Sequence, residues 1–462
     1  MRKTVYLLTI LFLSQLHVTA QKSSYFKRIF VDAEYYLLYE EYKDALPLYL
    51  EIHNSFPNNA NINYRIGLCY LNIINEKHKS IPFFEEAIKD ITPIYREGYY
   101  TENQAPRESY LHYGKALRVI GEFGKAQEAF NKYLSLLNEE DSKERNVVNA
   151  EIQAVEYAIQ MKDNPIHIKY TSVGGKVNTR FPELNPTVSA NNKLLIYTSS
   201  LQFYNAIMAS YFDGHEWSHP LNINSQLFAD GPISTVGLSS DGQSLLLARN
   251  DNDDYNIYIS QFDSTKNSWN IISKLPKEIN SRSWENYASF SPSGDTIMFS
   301  SNKPGGKGGF DIYFSTKVGE SWSDAKNISD IINTSLDDIA PMLSQDGKKL
   351  FFASKGHPNM GGYDIFVSYL MNGKWTKPIN LGYPLNTPDD DVFFFPVGNG
   401  SSGYISRMLP NGFGDNDIYF VEFDSQHNNM HYIDNSTSNI PITQGQSNVS
   451  KNTSTQTEII GQ

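Results

Sequence analysis

The sequence predicts an α + β multidomain protein in which N-terminal α-helical repeats are followed by a five-bladed β-propeller. Two periodicities carry that reading. In the second half an Asp-Ile-aromatic motif returns every 53 residues, as Asp311-Ile312-Tyr313, Asp364-Ile365-Phe366 and Asp417-Ile418-Tyr419, with Asn256-Ile257-Tyr258 as a looser earlier copy. Trp217, Trp269, Trp322 and Trp375 follow at steps of 52, 53 and 53 residues. A fixed period of this length, filled with short β-type runs, makes each repeat one blade. In the first third, between Phe30 and Ile159, the apolar residues instead follow helical spacing, in paired helices of about 34 residues.

The chain opens with a segment that reads as an export signal over residues 1–20. Arg2 and Lys3 supply a positive start, Tyr6 to Leu13 an apolar stretch, and Val18-Thr19-Ala20 a small-residue cleavage site before Gln21. The apolar stretch is shorter than the roughly 18 residues that a membrane helix needs, and no later segment supplies them. A soluble periplasmic protein is expected, with peripheral outer-membrane association open to it. The single cysteine, Cys69, lies in a helical apolar pattern, so an intramolecular disulfide is excluded and a small buried residue is the expectation. The formal net charge is −12 and no basic run is present. Such a surface repels phosphate backbones, which excludes nucleic acid as a natural partner.

Residues 26–162 are read as the helical domain. Ala33, Tyr36, Ala45, Tyr49, Ile52 and Pro57 define a first unit, Gly67, Tyr70, Ser80, Phe84 and Ala87 a second, and Gly114, Leu117, Ala126, Phe130 and Tyr133 a third. Gly or Ala lets the two helices of a pair approach closely, and the aromatic fills the gap to the next pair. The stretch Ile91 to Gln104 interrupts the array, and a helix from about Glu144 to Met161 covers its end with Val148, Ile152, Val155 and Ile159. The first helices of the pairs would present a concave face containing Tyr64, Leu68, Leu71, Leu111, Lys115 and Arg118. That face could hold a peptide or helix of another protein, or pack against the propeller.

Asn164-Pro165 breaks the last helix, and residues 166–424 are read as the propeller. Linkers at Asn178-Thr179, Asn224-Ser225, Asn280-Ser281, Asn333-Thr334 and Asn386-Thr387 count five blades. Hairpin turns at Asn191-Asn192, Asp241-Gly242, Ser293-Gly294, Asp346-Gly347 and Gly398-Asn399 give the same count. The last repeat lacks a Trp strand, while an unpartnered strand, Ile166 to Val173, precedes the first linker. Pairing the two would close the ring and remove its free edges.

The run from Pro341 to Phe366, with its Ser344, Asp346-Gly347, Gly361-Gly362 and Asp364-Ile365-Phe366 tokens, resembles the WD40-like (PD40) propeller repeat also found in the TolB family. The helical units resemble tetratricopeptide repeats. Together, from about Phe30 to Phe423, they resemble the periplasmic PorE-like proteins of Bacteroidetes. That resemblance implies association with type IX secretion machinery. PorE-like members also carry a C-terminal OmpA-like domain that holds peptidoglycan, and no such domain is expected here.

Glu183, Glu285, Asp338 and Asp391 each fall five residues after a linker Asn, and Asp230 falls six after Asn224. Recurring once per blade, they could form an acidic ring that attracts a cation or a basic peptide, or each could tie down its linker backbone. Asp251-Asn252-Asp253-Asp254 resembles part of a calcium loop but lacks its glycine and distant Glu, so it reads as a solvated turn. His427 and His431 have a helical metal-ligand spacing, in a segment of residues 425–462 rich in Asn, Ser, Thr and Gln that reads as a disordered tail. No carboxylate pair or nucleophile turn departs from the repeat, so no catalytic residue, cofactor or metal is expected.

The expected function is non-catalytic protein binding in the cell envelope, with envelope or secretion-system proteins as partners. The alternative is a carbohydrate-active or glycan-binding propeller, for which Tyr204, Trp284 and Phe413 near blade ends would supply stacking platforms.

Overall fold

The structure, a computed structural model, describes residues 24–252 and 254–424. The export segment at 1–20, Asp253, and the tail with His427 and His431 lie outside the described residues.

Seven helices build the N-terminal region: residues 24–38 (α1), Tyr42–Ser55 (α2), Ala60–Asn72 (α3), Ile81–Ala87 (α4), Ser109–Val119 (α5), Phe123–Ser135 (α6) and Ser142–Asp163 (α7). Small residues set the approach of the pairs. A Cβ at Gly67 on α3 would lie 2.7 Å from the Phe84 ring on α4, and one at Gly114 on α5 would lie 2.5 Å from the Phe130 ring on α6. Both aromatics are fully buried, as are Ala33 and Tyr49 in the α1–α2 pair. The ring therefore occupies the volume that any larger side chain would need.

The interruption between α4 and α5 is stitched down rather than loose. Ile91–Thr92 pairs with Ala105–Pro106, and Asn61 donates to the Glu102 carbonyl at 3.2 Å and accepts from the Tyr95 hydroxyl at 2.5 Å. Arg65 on α3 is buried and pairs with Glu34 on α1 at 2.9 Å, which ties the first helix to the second pair. Burial raises the pKa of the Glu34 carboxyl, and the Arg65 charge opposes that shift.

The propeller has five blades, each an antiparallel sheet. Their innermost strands are Glu183–Val188, Ile233–Leu238, Glu285–Phe290, Asp338–Leu343 and Phe394–Val397. The third strands are Asn205–Tyr211, Tyr255–Asp263, Asp311–Val318, Asp364–Met371 and Asp417–Phe423. The ring closes as its strand pattern requires. Ile168–Ser172 runs antiparallel to the last third strand, with Ile168 opposite Phe423 and Ser172 opposite Tyr419, and so supplies the missing fourth strand of blade five.

The Asp-Ile-aromatic repeat has a physical cause. In four blades the linker Asn grips the backbone of that Ile at two points. Asn333 Oδ1 accepts from Ile312 N at 2.8 Å while its Nδ2 donates to Ile312 O at 3.0 Å. The same pair of bonds joins Asn280 to Ile257, Asn386 to Ile365 and Asn178 to Ile418. In blade one Asn224 accepts from Ile207 N at 2.7 Å and donates to Asn205 O. One side chain thus satisfies the Ile amide, and in those four blades it adds a second donor to the Ile carbonyl, which already accepts a backbone N–H from the following segment, as Ile312 O does from Ile328 N at 3.1 Å.

Candidate functional site

Strand direction gives the ring two faces. One carries the turns between first and second strands. The other carries the interblade linkers and the loops between second and third strands.

The turn face is drawn shut. Ala190 N donates to Ser240 O at 2.8 Å, Ser240 Oγ to Pro292 O at 3.1 Å, Gln345 N to Gly398 O at 2.8 Å, and Gln345 Nε2 to Ala190 O at 3.3 Å. Behind these turns Val188, Leu238, Phe290, Leu343 and Phe395 narrow the channel to a cavity of about 40 Å³, room for about one water.

On the linker face the once-per-blade acids are buried against the chain itself. Glu183 accepts from Thr179 N at 3.0 Å and Thr179 Oγ1 at 2.7 Å. Glu285 repeats this with Ser281 at 2.9 and 2.6 Å and adds Ser301 Oγ at 2.7 Å. Asp338 takes the Thr334 amide and hydroxyl, and Asp391 those of Thr387. Asp391 also pairs with Arg407, whose guanidinium reaches the Tyr170 hydroxyl at 3.0 Å and the Pro384 carbonyl at 2.6 Å. Blade two departs from the series. Asp230 is exposed, and Ile233 begins its inner strand because a short helix, Asn224–Leu227, lengthens the preceding linker.

Burial pushes Glu183 up to about 7, Asp338 to about 6 and Asp391 to about 6, each opposed by its hydrogen bonds or by the Arg407 charge. Asp364, which accepts from Met360 N at 3.0 Å, is pushed by burial to about 8. Raised carboxylates of this kind occur in acid–base catalysis, and equally in structural networks. Here Glu183, Glu285, Asp338 and Asp364 have no exposed surface, and their bonds hold linkers and loops. Asp251 is likewise engaged, by the Tyr258 hydroxyl at 2.7 Å and Arg249 at 3.1 Å. Among the described residues no group of three or more His, Cys, Asp and Glu side chains is arranged to hold a metal ion.

The helical domain docks on this same face, over blades four and five. Lys77 pairs with Asp389 and Asp390 of the linker between them. Arg118 donates to the Met360 carbonyl at 3.2 Å and to the Pro388 carbonyl, and is held from behind by Glu151 at 3.2 Å. Gly361 must be glycine for this contact: its φ is +115°, and a Cβ there would coincide with the Arg118 guanidinium. At the edge Lys162 lies 5.7 Å from the Tyr383 ring centroid, and Ile166 N donates to Tyr383 O at 2.7 Å.

This docking decides what the six residues of the concave face do. Tyr64, Leu71 and Leu111 are buried within the helical stack, Leu68 is half-buried, Lys115 pairs with Glu151 at 3.4 Å, and Arg118 is buried on the propeller. The neighbouring His112 stacks against Phe84 and is pushed by burial down to about 3, so it is neutral. The surfaces that the chain leaves open lie elsewhere. Blades one to three keep Phe203, Tyr204, Trp284 and Leu336 exposed on their linker-face loops, with Phe203 88% accessible. Phe413 on blade five is half accessible and covers Gly175. No helix among the described residues is long and apolar enough to cross a membrane.

No protein-family model matches the chain, and no curated protein matches it. Solved structures overlap with part of it. TolB from Acinetobacter baumannii is 16% identical over 62% of this chain and 72% of its own, with a TM-score of 0.35. An alpha-L-arabinofuranosidase from Lactobacillus brevis is 12% identical over 55% and 94%, at 0.37. The PQQ-bound aldose sugar dehydrogenase from Streptomyces coelicolor is 12% identical over 56% and 99%, at 0.35. Overlap at this level assigns no activity.

Proposed function

We propose that this protein is a non-catalytic, protein-binding scaffold of the bacterial cell envelope, an exported accessory of secretion or outer-membrane assembly. One observation carries the reading. The helical domain is latched to blades four and five, and the linker face of blades one to three is left with Phe203, Tyr204, Trp284 and Leu336 in solvent. A rigid ring with aromatic side chains on one open sector suits a protein surface, because such rings add large contact area at low entropic cost. The buried, bonded carboxylates favour binding over turnover, and the acidic balance of the chain favours a partner with basic rim residues.

The test is site-specific photocrosslinking in the native envelope from positions 203 and 284, with position 266 on the turn side as the control. Crosslinks to secretion or outer-membrane proteins from 203 and 284 but not from 266 support the proposal. The same aromatics could stack on sugar rings, which is the second reading. Saturable binding or cleavage of an envelope oligosaccharide by the purified protein, lost in Phe203→Ala with Trp284→Ala, would replace the first reading with it.

A further inference from the structure

The two ends of the helical stack are finished differently. A solenoid needs a polar outer face on its terminal helices to stay apart from other copies. The outward side of α7 largely meets that need with Lys143, Glu144, Asn149, Gln153, Glu156 and Gln160, all exposed, and Val147 and Ile159 are its accessible apolar residues, at 46 and 36%. The outward side of α1 does not. Val31, Tyr35, Leu38 and Tyr39 are 54, 59, 78 and 60% accessible. Their spacing of four, three and one residues puts them on one stripe, since Tyr39 N still donates to Tyr35 O and the Tyr35 and Tyr39 rings lie 5.0 Å apart.

Apart from Asp32, exposed beside Val31, the charges flanking that stripe are divided by sign along the helix. Lys27 and Arg28 stand exposed at its start, and Glu40 and Glu41 stand exposed just past its end. Among the described residues none of the four makes an ion pair. A parallel neighbour would set like charges against like. An antiparallel copy of the same helix sets Lys27 and Arg28 against Glu40 and Glu41 at both ends and centres the contact near Tyr35.

We propose that α1 is a homodimerisation helix: two copies of this protein pair through antiparallel α1 helices about a twofold axis, burying Val31, Tyr35, Leu38 and Tyr39. A twofold contact uses one patch twice and so requires self-complementarity, which the sign pattern supplies. The cleft of about 340 Å³ between Glu40–Asp44 and Asn72–Ile74, lined by three carboxylates and one lysine, Lys43, lies beside the acidic end and receives the basic start of the other copy. The interface is small, which places it among reversible rather than obligate dimers. It leaves the linker face of blades one to three open in both copies.

Sedimentation equilibrium of the purified protein tests this. A monomer–dimer equilibrium is expected, with Tyr35→Glu plus Leu38→Glu raising the dimer Kd at least tenfold while the Tm is retained. Arg28→Glu alone should weaken the dimer, and Arg28→Glu combined with Glu40→Arg should restore it, because the swap exchanges the signs at both ends. A protein that stays monomeric at 100 µM, or a dimer indifferent to Tyr35→Glu plus Leu38→Glu, overturns the proposal. A charge swap that fails to restore association overturns the antiparallel arrangement. Capture of a different protein by α1 with no self-association would give the stripe another occupant.

Discussion

The Lys77 ammonium lies 2.9 Å from the Asp390 carboxylate across 313 residues of chain, and with Asp389 it fixes the helical domain on the propeller. Burial lowers the pKa of Lys77 and both aspartates raise it, with a net rise, so the ammonium stays charged in place. Lys77→Ala combined with Arg118→Ala should release the helical domain while both domains remain folded. We expect a larger radius of gyration by small-angle scattering and new protease cleavage near Asn164-Pro165. Unchanged scattering and cleavage would show that the α7 junction alone holds the arrangement.

Arg407 serves three segments at once: the closing strand through Tyr170, the linker through Pro384, and the inner-strand acid Asp391. Arg407→Ala leaves a buried carboxylate without its counter-charge, a loss of about 3–5 kcal/mol. Asp391→Asn in the same chain should recover part of that loss. Urea unfolding followed by tryptophan fluorescence reads both, and additive losses would contradict a shared network.

Gly114→Val forces a side chain into the volume of the Phe130 ring. Overpacking of this kind costs about 1–3 kcal/mol. The paired variant Gly114→Val with Phe130→Ala should be less destabilised than the sum of the two single changes, because the second removes the atoms that the first strikes. Circular dichroism at 222 nm, which follows the helices, is the measurement.

Stability should fall as pH rises from about 6.5 to 8, most steeply below pH 7. Glu183 and Asp364 are raised to about 7 and about 8 in the folded state, above their unfolded values, so up to about pH 7 and about pH 8 respectively the folded protein holds a proton that the unfolded chain has released. Each group contributes up to ~1.4 kcal/mol per pH unit while only its unfolded form is ionised. Neutral His112 and His357, both depressed, act in the opposite direction, but that contribution is complete once pH exceeds the ordinary histidine value. The Tm measured across this range should drop, and Asp364→Asn with Glu183→Gln should flatten the slope.

What the sequence made legible was whatever repeats. The linker Asn, the Asp-Ile-aromatic token and the turn residues recur because every blade solves the same backbone problem, and the count of five blades follows from them. Closure was legible for the complementary reason: one repeat lacked a strand, and Ile166 to Val173 had no partner. The spacing rule failed in blade two, where an inserted helix turn moved Asp230 out of the series. The docking of the domains was invisible, since Lys77, Arg118, Asp389 and Asp390 belong to no shared period and meet only because two separately packed bodies fit. For the same reason a concave face inferred from helix spacing turned out to be spent on internal packing and on Met360 and Pro388.

The order in which the ring is made has a consequence for how it forms. Asn178 and Ile418 grip each other across 240 residues, so the first-made propeller segment must wait for nearly the last before either is satisfied. Until then the nascent chain carries an open sheet edge at each end, and partial products truncated before Asp417–Phe423 have nothing to seal against. Closure of the ring is therefore a late step, which a growing chain cannot complete before its last third strand exists.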